Sequence, residues 1–171
     1  MRLVDYVNQG GSITWILVLM NIVGLSFVFW RFWVLRDFSK NIDARATELA
    51  DDLKKQNLGS DTFVIAKDFI SAKVSELEYG MTVIKVVASI SPLLGLLGTV
   101  TGIFDAFQVI ATKGLDNPGD FASGISLALI TTIAGLIVAI PHYIAHNFLT
   151  GKLDGLEIRL EKLVLPRLAG K

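Results

Sequence analysis

The chain contains no cysteine. That excludes disulfides, thiolate metal sites and a thiol nucleophile. Histidine is nearly absent as well, with only His142 and His146 present. They stand one helical turn apart just after Pro141. With no third ligand near them in the sequence, they read as interfacial residues rather than a metal pair. Net charge is lacking too, since sixteen Lys and Arg balance sixteen Asp and Glu. No electrostatic footprint for nucleic acid or for an acidic partner follows. Nucleophile triads, phosphate-binding loops and metal motifs are missing, so an enzyme, a bound metal and a cofactor are not expected.

What the chain does have is apolar length. Hydrophobic residues make up 52% of its 171 positions and fall in long runs, as they do in membrane proteins. Three segments, 13–35, 81–112 and 121–149, can each span about 30 Å of hydrocarbon. The first has no basic leader and no small-residue cleavage site, which makes it a retained span rather than a signal peptide. Trp15, Trp30 and Trp33 stand near its ends as interfacial anchors. Its interior is bulky apart from Gly24 and Ser26, as suits a lipid-facing wall.

Lys and Arg set the orientation. Arg36, Lys40, Arg45, Lys54, Lys55, Lys67 and Lys73 follow the first span, and Lys152, Arg159, Lys162, Arg167 and Lys171 follow the third. Only Arg2 and Lys113 fall on the opposite side. The positive-inside rule puts the N-terminus outside and the C-terminus inside, with the loop over 113–120 outside. The fold class is therefore an all-α membrane protein, with three transmembrane helices and cytoplasmic helical extensions over about 39–80 and 152–168. The whole of 1–171 reads as one membrane domain.

Local signals refine that picture. Residues 2–8 form a short amphipathic lead, ended by Gly10-Gly11-Ser12. Ile42, Ala46, Leu49 and Leu53 recur at helical spacing, and Gly59-Ser60-Asp61 ends that helix and caps the next. Phe63, Ala66, Ile70, Val74, Leu77 and Met81 predict one helix running from the cytoplasm into span two, with Gly80 a soft point. After span three, Leu153, Leu156, Leu160 and Leu163 predict a further helix up to Pro166.

Spans two and three are rich in small residues. Gly costs a helix about 1 kcal/mol relative to Ala in water. In a bilayer the helix persists and small residues become contact surfaces. Ser91, Gly95, Gly98, Thr99 and Gly102 share a broad face of span two. Gly124, Ala128, Thr131, Thr132, Gly135 and Ala139 do so on span three. Singly, such residues bond their own backbone or permit close packing. Two hydroxylated faces in successive spans either line a narrow, water-holding path or seat another protein's helix. The centres of the spans contain no Asp or Glu, so a proton carrier would have to come from another subunit. Lys85 lies where its ammonium can snorkel to the cytoplasmic surface. Asp105, toward the outer end of span two, reads equally as a group facing water or a cation and as an interfacial residue. The segment 81–112 would measure about 48 Å, more than the hydrocarbon requires.

Two strings carry a resemblance: Ser91-Pro92-Leu93-Leu94-Gly95-Leu96-Leu97-Gly98-Thr99-Val100-Thr101-Gly102-Ile103, and Gly124-Ile125-Ser126 through Ala139-Ile140-Pro141. With the order of spans and loops, the chain resembles the ExbB/TolQ/MotA proton-channel family, and its ExbB branch in particular. The resemblance implies a subunit of the bacterial inner membrane that forms a pentamer around two helices of an ExbD-like partner. That partner carries a transmembrane Asp, and ion flow past it drives a TonB-like protein. Thr99 and Thr132 match the positions that would face that Asp. Thr131, Ser91 and Asp105 complete the expected path for H+ or Na+. Gly95, Gly98, Gly102, Gly124, Ala128, Gly135 and Ala139 are expected to pack on the partner's helices. Many ExbB and TolQ sequences carry Glu where this chain has Leu127, and Asn near position 105 where it has Asp105. The short cytoplasmic region separates the chain from flagellar MotA. A TolQ-like or gliding-motor stator subunit and a passive helical scaffold remain the alternatives.

Overall fold

The computed structural model describes residue 7 and residues 10–55, 62–114 and 118–169. All the elements among the described residues are helices: α1 (Gly11–Lys40), α2 (Ile42–Lys55), α3 (Thr62–Leu77), α4 (Met81–Lys113) and α5 (Pro118–Ala169). Apart from Val7, which is helical, the lead over 2–8 lies outside the described residues. So do the Gly59-Ser60-Asp61 cap and the centre of the 113–120 loop.

The helix α1 starts at Gly11, whose φ of 63° is open to glycine at little cost. It then runs past the expected end of the span to Lys40. Asn41 barely interrupts it: its N–H bonds Asp37 O at 3.2 Å, and Arg45 N–H bonds Asn41 O at 3.1 Å. The expected single helix through Met81 does not form. Glu78, Tyr79 and Gly80 make a turn, closed by Met81 N–H donating to Glu78 O at 2.9 Å. Gly80 sits at φ 85°, a left-handed conformation that ends a right-handed helix. Gly80 is thus a stop, and span two begins afresh at Met81.

Span three differs in the opposite sense. It and the tail are one helix of 52 residues, about 78 Å long at 1.5 Å per residue. Pro141 removes one backbone donor, but the apolar pattern continues through it on the same face. Leu149, Leu153, Leu156, Leu160 and Val164 are all buried, and that unbroken stripe holds the helix together.

The chain divides into two compact units, Met1–Phe27 with Val83–Ala145, and Val28–Thr82 with His146–Lys171. In the first, Leu17, Val87 and Val138 form a small core with Ile13, Met20, Leu94 and Ala134 packed around it. Leu19, Ile22, Leu93, Val100, Phe107 and Ile137 are among many large apolar side chains left exposed there. An apolar exterior of that extent requires lipid or other protein around it. In the second unit, the stripe of α5 is buried with Leu35 and Phe38 of α1, Ile42, Ala46, Ala50 and Leu53 of α2, and Ala66, Ile70 and Val74 of α3. Lys67 and Glu161 form an exposed ion pair at 3.9 Å across it.

Candidate ion path and helix-contact site

The small residues of α4 and α5 meet each other within the chain. A methyl group on Gly95 would lie 2.9 Å from Thr131 O and 3.1 Å from Thr132 Cα. On Gly102 it would lie 2.9 Å from Gly124 O and 3.0 Å from Ala128 Cβ, and on Gly135 2.6 Å from Ser91 O. Gly98 leaves room for the side chain of Thr131, whose Cβ would be 2.5 Å from an added methyl. Gly124 abuts Ala106, and Ala128 and Ala139 are buried. The faces expected to seat a partner's helix therefore hold α4 and α5 at near-backbone contact, as small residues do between membrane helices.

The hydroxyls occupy different positions around this seam. Ser91 is fully enclosed and donates to Val87 O at 2.6 Å. Thr131 is buried and gives its proton to Ala128 O at 2.7 Å, with Gly95 O beyond at 3.3 Å. Thr132 donates across the seam to Gly95 O at 3.2 Å. Thr99, one turn after Gly95, donates to Leu96 O at 2.6 Å. Thr99 and Thr132 are each partly exposed. Each keeps oxygen lone pairs able to accept from water or to bind a cation, and a proton that can turn to a carboxylate.

The structure does not bring Asp105 to them. It lies six positions after Thr99, which puts the two about 120° apart around α4, on either side of Gly98 and Gly102. Asp105 is exposed and shares its stripe with Thr101 and Thr112, whose hydroxyls bond Leu97 O at 3.0 Å and Gln108 O at 2.8 Å. No hydrogen bond or ion pair of Asp105 occurs among the described residues.

Two residues matter more than their sequence context indicated. His142 is fully buried among its neighbours. Its Nδ1 lies 2.7 Å from Val138 O, and its Nε2 has no partner among the described residues. The ring occupies the space over Gly24, where an added methyl would be 2.6 Å from Cδ2. Among the described residues no group of three metal-binding side chains exists. Arg31 is also buried. It donates to Leu77 O, and to Glu76 O at 3.4 Å, capping the C-terminal carbonyls of α3. Trp30 meets Tyr79 edge to face at 6.2 Å beside it. The only sequence signal for Arg31 was a cation at the end of an apolar run.

Three helices long and apolar enough to cross a bilayer and a glycine-lined contact between two of them define a polytopic helical membrane protein. The profile of the MotA/TolQ/ExbB proton channel family matches residues 40–162, and the chain belongs to that family. It is 48% identical over 77 residues to the biopolymer transport protein ExbB of Aquifex aeolicus, covering 45% of this chain and 52% of that protein. To the ExbB of Neisseria gonorrhoeae it is 34% identical over 114 residues, 67% of this chain and 49% of the other. A putative ExbB-like protein of Synechocystis is 31% identical over 173 aligned positions, 81% of this chain and 67% of the other. The chain spans about half the length of the first two relatives.

Proposed function

We propose that the chain is an ExbB-type subunit of an ion-driven motor in the bacterial inner membrane. Five copies surround a helix pair of an ExbD-like partner, which supplies the transmembrane carboxylate. The transported ion is H+ or Na+, and its flow energises a TonB-like protein. The N-terminus faces outward, and α2, α3 and the end of α5 lie in the cytoplasm. The observation that carries this reading is the seam itself. Glycines close α4 onto α5, while Thr99 and Thr132 remain at its edge as hydroxyls with no carboxylate of their own. Exposed Leu96, Val100, Leu129 and Ile133 give neighbouring copies an apolar surface to cover.

The test uses the assembled complex. Thr132→Val keeps shape and removes the hydroxyl, while Thr132→Ser keeps the hydroxyl. Loss of a hydrogen bond to a charged group costs about 1.5–3 kcal/mol, roughly a tenfold to hundredfold loss of flux. The expected result is that loss for Thr132→Val and Thr99→Val, near-normal uptake for Thr132→Ser, and unchanged assembly in all three. Normal uptake in both valine variants would refute the assigned path. Normal uptake after removal of the partner's carboxylate would make the assembly a passive scaffold.

A further inference from the structure

The second unit carries a groove that the ion path leaves unused. It lies between the last turns of α1 and the stretch 152–159 of α5, has a volume of about 360 Å³, and is lined by Arg36, Lys40, Lys152 and Arg159 together with Ser39. The buried Leu35 and Leu156 supply its apolar part. No carboxylate lines it. Among the described residues none of the four cations belongs to an ion pair. Lys152 is held by aromatic rings instead, its Nζ 4.9 Å from the centre of Phe32 and 4.8 Å from that of Phe148. Ring faces position an ammonium without cancelling its charge. Gly155 completes the wall, and a methyl group there would meet nothing within 4 Å.

Four unpaired cations around a partly apolar groove suit a phosphate attached to hydrocarbon. The position along α1 is consistent with this. Arg36 follows by one turn the exposed ring of Trp33, and Trp belts mark the headgroup level of a bilayer. We infer that the groove binds the phosphate headgroup of an anionic phospholipid such as phosphatidylglycerol. This rests on the proposed placement of that end of α1 at the cytoplasmic face, where anionic lipids meet basic side chains. The cations hold the phosphate, Ser39 donates a hydrogen bond, and Leu35 and Leu156 form the apolar floor beneath them.

The experiment is lipid binding to the purified full-length chain, read by native mass spectrometry. Phosphatidylglycerol, phosphatidylcholine and inorganic phosphate are each added in turn. Phosphatidylglycerol is expected to bind in preference to phosphatidylcholine and to resist displacement by inorganic phosphate. Arg36→Gln with Arg159→Gln is expected to weaken its binding about thirtyfold, at roughly a factor of five per cation lost. Arg36→Lys with Arg159→Lys should retain most of it. Gly155→Met changes no charge and places a better helix former in α5, so it fills the groove without threatening the fold. It is expected to weaken binding at least tenfold. Equal binding of the two lipids, full displacement by inorganic phosphate, or unchanged binding in Gly155→Met would each overturn the inference. Neither ion flow nor a partner enters this assay, so its failure and a failure of the motor reading are separate results.

Discussion

Adding one methyl group at Gly98 tests whether the α4–α5 seam is set by the fit of Gly98 to Thr131. In Gly98→Ala the new carbon would lie 2.5 Å from Thr131 Cβ, about 1 Å inside ordinary carbon contact. Thr131 Cβ is fixed to its backbone, so no rotamer relieves the collision and the helices must separate. Overpacking of this kind costs about 1–3 kcal/mol. Against a carbon that cannot move aside the upper part of that range applies, about 2–3 kcal/mol, and the better helix propensity of Ala returns about 1 kcal/mol, leaving a net loss of about 1–2 kcal/mol. Thr131→Gly destabilises the seam by itself, through lost packing and a poorer helix former. The combined variant moves the bulk from α5 to α4, and its steric term disappears. The expected coupling is at least about 1 kcal/mol in the stabilising direction. Unfolding by SDS titration in mixed micelles, followed by circular dichroism, measures all four proteins. A Gly98→Ala protein as stable as the parent would refute the packing argument, as would strict additivity of the two changes.

Gly80→Ala forces a side chain into a left-handed turn. It is expected to cost about 1 kcal/mol in the same titration and to raise hydrogen exchange around residues 78–81. Unchanged exchange there would mean that the turn does not need glycine. Arg31→Met removes the donor that caps Glu76 O and Leu77 O. A loss of about 1.5–3 kcal/mol is expected, with the C-terminal turn of α3 becoming the first site of proteolysis. Cleavage that begins elsewhere at the parent rate would argue against the cap.

Much of the architecture was legible in the chain because it depends on local quantities. The three spans follow from apolar run length, and Ile42, Ala46 and Leu53 from a 3.6-residue period. Helix boundaries were less legible. Gly80 looked like a soft point because an apolar stripe ran through it, but its φ stops the helix. The tail after span three looked like a further helix, yet the buried stripe through Leu149 and Leu153 carries α5 on without a break.

The sequence by itself determined that this is a helical membrane protein whose second and third spans carry small, hydroxylated faces. Its apolar lengths, its Gly and Thr spacing and the lack of a central carboxylate decided that much. Tertiary structure alone decided what those faces touch. Gly98 receives Thr131 from 33 positions away, and Thr132 reaches Gly95 O rather than its own helix. Arg31 ends a helix that begins 31 residues later. A period along one helix says which side chains share a face. It cannot say which other face that one meets, because close approach depends on the shape of both surfaces at once.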